Sequence, residues 1–115
     1  HLPGKITGEK TVTLASQQEL EIDGSTAVTI GAEILVSIRP HNIKIRKSAG
    51  EGRGARNEIN GVVEKVSYLG DRVDYRIVIG DKALRVQTEP GEVYTEGTKV
   101  LLLLPPEKIS VISVN

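Results

Sequence analysis

Residues 31–45 align without a gap on residues 97–111, and this internal repeat constrains the fold more than any other feature of the chain. Each copy runs from a Gly through an apolar stretch to a Pro, and from there through a polar corner to a second short stretch. A unit of this length cannot bury its own apolar face, so two copies in one chain point to a core made jointly. Upstream, residues 11–22 resemble residues 77–86, with a loop one residue shorter in the second copy.

The repeat is built from strand-forming residues. The chain of 115 residues contains no Phe, Trp, Met or Cys and only three Tyr, so Val, Ile and Leu supply nearly all of its apolar side chains. Branching at Cβ stiffens χ1 and suits a pleated surface. Short alternating segments predict strands at 10–14, 19–23, 34–39, 42–46, 58–69, 72–79, 82–88, 99–104 and 109–114. No segment holds a 3.6-residue period over three turns, which leaves helix a minor component. Within 72–79, Val73, Tyr75, Ile77 and Ile79 share one face and Asp74 and Arg76 the other, with Val78 as the exception. Gly80 and Asp81 then predict a two-residue hairpin, Gly taking the positive φ of a II′ turn.

The expected fold class is therefore all-β, with one or two OB-like small barrels built from two similar interlocked half-units. One domain spans 1–115, with half-units at about 1–47 and 57–115 and a Gly-rich linker at 48–56. A Gly-rich loop cradles phosphate when a strand precedes it and a helix follows, usually with a Lys-Ser or Lys-Thr pair. This one lacks that setting and reads as a solvated linker. The run Leu101, Leu102, Leu103 and Leu104 does not alternate, so both of its faces must be covered. The cover is either the other half-unit or a second copy of the chain.

Fifteen basic residues balance fifteen acidic ones, so no long-range field favours nucleic acid or anionic lipid. The missing Cys removes disulfides, thiolate nucleophiles and thiol ligands together. No apolar run approaches the roughly 18 residues of a membrane span, and residues 1–20 lack the apolar stretch of a signal peptide. The missing Met makes a segment of a longer protein the expectation. His41 follows Pro40 at a corner with no nearby Ser, Cys or second His to build a triad or metal site, and the carboxylates stand singly among Lys and Arg. The segment is accordingly expected to be non-catalytic. Arg39, Lys44, Arg46, Lys47, Arg53 and Arg56 form a local basic stretch, read as a solvated edge strand entering the linker.

Several of these segments, in this order, resemble the TOBE domain, a transport-associated OB-like module at the C-terminal end of ABC importer ATPase subunits. Residues 2–6 look like its opening strand. Residues 36–40, ending in Arg39 and Pro40 and followed by Ile43, are similar to its most specific signature, with His41 where the family usually has Glu. Residues 60–62 with Tyr68, Leu69, Gly70 and Asp71 look like the start of the second half. Residues 96–107, with Gly97 and Pro106, resemble the closing strand.

The resemblance implies a regulatory or dimerisation domain of an ATP-binding subunit that drives import of a polyamine, ferric iron, a sugar or a related solute. Its partners would be a second ATPase subunit in a homodimer and the permease subunits, at the cytoplasmic face of a bacterial inner membrane. ATP and Mg would be bound by an upstream domain, and this segment would hold no cofactor or metal of its own. The isolated segment is expected to be monomeric or weakly dimeric and not to turn over ATP. Molybdate-type relatives of the same fold suggest the alternative of an oxyanion-sensing module, for which Ser67, Thr95, Thr98 and Lys99 are candidate donors and Leu101 and Leu103 candidate interface residues. A nucleic-acid-binding OB protein is a poorer fit, because it needs exposed aromatics in a basic groove.

Overall fold

Strands form where alternation forecasts them, and the two half-units trade their last strands. The computed structural model describes residues 1–23, 29–48, 56–91 and 93–114. The first half gives β1 (Leu2–Gly8), β2 (Thr11–Leu14), β3 (Glu19–Glu21), β4 (Glu33–Ser37) and β5 (Lys44–Lys47), and the second gives β6 (Glu58–Tyr68), β7 (Val73–Ile79), β8 (Lys82–Thr88), β9 (Lys99–Leu103) and β10 (Ser110–Ser113). A 3-10 turn at Pro40–Asn42 joins β4 to β5, and another at Pro106–Lys108 joins β9 to β10. Beyond the segments predicted by alternation, β1 is an additional strand, placed in advance only by the family resemblance. Most of the Gly-rich linker lies outside the described residues, as does Arg53.

Two five-stranded antiparallel sheets result, in the orders β10-β4-β1-β2-β3 and β5-β9-β6-β7-β8. The orders are the same once β1–β5 are matched to β6–β10. The first half's β5 therefore sits in the second sheet, and β10 sits in the first. Each sheet lacks an edge strand until the other half supplies it, which is the physical content of interlocked half-units.

The duplication extends to individual hydrogen bonds. Gly31 and Gly97 take φ of +93° and +88° at the third position of equivalent turns. In the first copy Ala32 N–H donates to Thr29 O (3.1 Å) and Gly31 N–H to Ile6 O (2.7 Å). In the second, Thr98 N–H donates to Thr95 O (3.1 Å) and Gly97 N–H to Val63 O (2.8 Å). Turns of this type need a positive φ at that residue, which Gly adopts without a Cβ clash. The Gly80 hairpin is formed as expected: Ile79 pairs with Lys82, Gly80 has φ +69° and Asp81 stays out of the left-handed region.

One aliphatic core is shared by both sheets. Val12, Leu20, Ile34 and Val36 from the first pack in the same cluster as Val63, Ile77, Val86, Val100, Leu102 and Leu104 from the second. Tyr75, 1% exposed, is the largest side chain in it, and its hydroxyl accepts the Tyr94 N–H at 3.1 Å. The leucine run is covered within the chain over most of its length. Leu102 and Leu104 enter the core, while Leu101 faces the other way and is still only 2% exposed. Arg46 and Asn60 flank Leu101 in register, and Arg46 reaches across β9 to Glu58 at 3.8 Å. Leu101 is thus unavailable as an interface residue; Leu103, 37% exposed, is the member of the run that meets solvent.

Candidate functional site

On the outer face of the second sheet, β6, β7 and β8 bring three cations into one row. Arg76 alternates outward from the buried Tyr75 and Ile77, and it lies directly opposite Lys65 on β6 and Arg85 on β8. Like charges in directly opposed positions are destabilising unless something offsets them. Two carboxylates do so in part. Arg76 Nε donates to Glu64 Oε1 at 2.7 Å, and Arg85 donates from Nε and Nη2 to Asp74 Oδ2 at 3.0 and 2.8 Å. Lys65 has no ion pair with any described residue, which leaves the row with one uncompensated positive charge.

A bulge in β6 makes the row. Val63 pairs with Ile77 and Lys65 with Arg76, so two residues of β6 advance against one of β7, and Glu64 is the extra residue. Bulges re-aim side chains in this way. Here the bulge sends Glu64 and Lys65 to the same solvent face. The sequence does carry a trace of it, because Val62, Val63, Glu64 and Lys65 break the period of two.

The row borders a groove of about 460 Å³ that Ser67, Asp74, Pro40 and His1 also line. Ser67 stands opposite Asp74 in register. Asp74 is mostly buried, its side chain being 18% exposed, and its Oδ1 is occluded with no hydrogen-bond partner. A buried acceptor left unpaired costs about 1–3 kcal/mol. The groove therefore offers cationic donors and a hydroxyl, and the Asp74 side chain in its wall carries one unpaired acceptor beneath the surface.

Of the donors named from sequence, Ser67 alone lines this groove. Thr95 and Thr98 bond to each other through their hydroxyls (3.2 Å) in the turn before β9, and Lys99 opens β9 opposite Val62. Arg39 is exposed at the start of the first 3-10 turn, while Pro40 faces the groove. Tyr68, Leu69, Gly70 and Asp71 form the tip of the β6–β7 hairpin, with Tyr68 68% and Leu69 49% exposed. Gly97 and Pro106 are turn residues. His41 is exposed and lines a separate groove with Arg72, Thr88 and Glu89; its counterpart in the second copy is Glu107. Among the described residues no three His, Cys, Asp or Glu side chains come together to hold a metal, and no helix is long and apolar enough to cross a membrane. Lysines and arginines of the row were missed from sequence, because they lie far apart in the chain and only strand register unites them.

The family model described as TOBE domain matches residues 36–112. The chain belongs to the TOBE family. That match begins in β4 and ends in β10, so it takes in the exchanged strands of both halves. Among solved structures, this TOBE chain is similar to the cytoplasmic molybdate-binding protein ModG, in a form with molybdate bound. The TM-score is 0.85 with 11% identity, over 97% of this chain and 94% of that one. An identity so low establishes the shared fold, and function must be argued from the site. A search of curated protein sequences returned no match.

Proposed function

We propose that this TOBE chain is a non-catalytic module that binds a small tetrahedral oxyanion. The observation that carries the reading is the row Lys65, Arg76 and Arg85 in one groove with a surplus positive charge. The likeness to a molybdate-binding protein across both half-units supports the same ligand class. Among the described residues Ser67 makes no hydrogen bond to His1 or Asp74 that would activate its hydroxyl, so the chemistry argued for the groove is recognition: charge-assisted hydrogen bonds from Lys and Arg, and one from Ser67. Titration calorimetry of the chain against molybdate, sulfate and phosphate at low salt tests it. Binding of at least one anion, weakening as salt rises, is expected; no heat from any of the three removes the reading.

A second reading places the module on the ATP-binding subunit of an ABC importer, where it would hold or regulate the ATPase dimer. The exposed Tyr68 and Leu69 at a hairpin tip favour a protein contact there, and a weak patch suffices when the ATPase domains already pair. Analytical ultracentrifugation across concentrations checks it: a monomer or weak dimer is expected, and a tight tetramer rules it out.

A further inference from the structure

Within the groove, the cations explain why an anion enters, and Asp74 bears on which anion stays. Its Oδ2 already accepts two bonds from Arg85, whereas Oδ1 is occluded and accepts none. A carboxylate is an acceptor only, so Oδ1 is satisfied by a ligand that carries a hydrogen and is opposed by one that presents only oxygen lone pairs. Sulfate and molybdate near neutral pH carry no hydrogen. Monohydrogen phosphate carries one, together with enough negative charge to answer Lys65, Arg76 and Arg85.

We infer that the groove between β6, β7 and β8 selects a protonated tetrahedral oxyanion, with Lys65 and Arg76 holding its charged oxygens and Asp74 Oδ1 accepting its O–H. The inference rests on the oxyanion reading above and narrows it to a ligand class. Ser67, opposite Asp74, donates to a further oxygen. Arg85, whose side chain is 60% exposed, swings off Asp74 to uncover Oδ1 and takes up the ligand's charged oxygens instead. A phosphate monoester is excluded on the same ground, since its second pKa of about 6 leaves it without a hydrogen at pH 8.

Calorimetry on the whole chain at pH 8 reads this directly, with inorganic phosphate, sulfate, molybdate and phosphoserine as probes. Phosphate is expected to bind about tenfold or more tightly than the other three, a difference of about 1.4 kcal/mol. Asp74→Asn, whose amide donates as well as accepts, is expected to bring sulfate within about threefold of phosphate. Lys65→Gln, an exposed change that leaves the fold's contacts intact, is expected to weaken phosphate at least fivefold. Preference for sulfate, molybdate or phosphoserine that Lys65→Gln abolishes overturns the role of the proton and leaves the oxyanion reading standing. Phosphate preference untouched by both variants overturns the site. Silence from all four probes removes both proposals.

Discussion

The carboxamide of Asn57 closes a two-way hydrogen bond with the backbone of Glu21: its Oδ1 accepts the Glu21 N–H at 2.8 Å, and its Nδ2 donates to the Glu21 carbonyl at 2.9 Å. The same Nδ2 donates to Leu104 O at 2.8 Å, and Leu104 N–H donates to Asn57 O at 3.0 Å. One side chain thereby ties the end of β3 in the first sheet to the end of β9 and the start of β6 in the second. Asn57 is the one buried polar residue among those described, at 4% exposure. Its φ of +71° is a conformation that Asn tolerates better than most residues.

Asn57→Ala strands the part-buried N–H and C=O of Glu21 and the buried carbonyl of Leu104, and places a Cβ residue without local hydrogen bonding at positive φ. A loss of about 2–4 kcal/mol is expected from the unpaired groups and the backbone strain together. Urea unfolding monitored by circular dichroism checks it. Asn57→Gly, which relieves only the backbone term, should fall between the two. A midpoint unchanged in Asn57→Ala would show that the sheets are held by apolar packing alone.

Gly4 and Gly61 occupy equivalent positions at which a neighbouring strand crosses closely. A Cβ on Gly61 would lie 2.5 Å from Ile77 Cγ2 and 3.0 Å from Val78 O, and one on Gly4 would lie 2.8 Å from Thr13 O. Overpacking of this kind costs about 1–3 kcal/mol. Gly61→Ala and Gly4→Ala should each lower the thermal midpoint, while Gly91→Ala, which meets nothing within 4 Å, should not.

Leu101→Ala and Leu103→Ala separate cover within the chain from cover by a second copy. Leu101 is buried in a single chain, so its truncation is expected to cost about 2–5 kcal/mol whatever the protein concentration. Leu103→Ala should cost under about 1 kcal/mol. If Leu101→Ala were harmful only at high concentration, its cover would have to come from a partner.

Glu64→Gln removes one of the two carboxylates that offset the cationic row. Both members of the Glu64–Arg76 pair are more than half exposed, so stability should change by no more than about 1 kcal/mol. Anion binding by calorimetry should strengthen several-fold at low salt and converge on the parent value as salt screens the charge. Unchanged affinity at low salt would mean that the anion does not sit against Arg76.

Much of the fold was legible because its signals are local. Alternation in 72–79 and 82–88 marked β7 and β8, and the repeat of 31–45 in 97–111 anticipated that β4, the 3-10 turn and β5 would recur as β9, the second turn and β10. The site was legible only at Ser67 and Pro40. Thr95, Thr98 and Lys99 have the chemistry of donors, yet two of them are engaged with each other in a turn and none joins Ser67.

By itself, the sequence determined the strand alphabet, the Gly turns, the Pro corners and the duplication, since each depends on the φ and side-chain preferences of a few consecutive residues. Tertiary structure decided the exchange of β5 and β10, the Asn57 tie, the cover over Leu101 and the row Lys65, Arg76 and Arg85. Those features depend on which strands pair and in what register, and a one-residue shift in register turns every side chain of a strand to the opposite face. The extra residue at Glu64 is such a shift, and it is what sets three cations side by side.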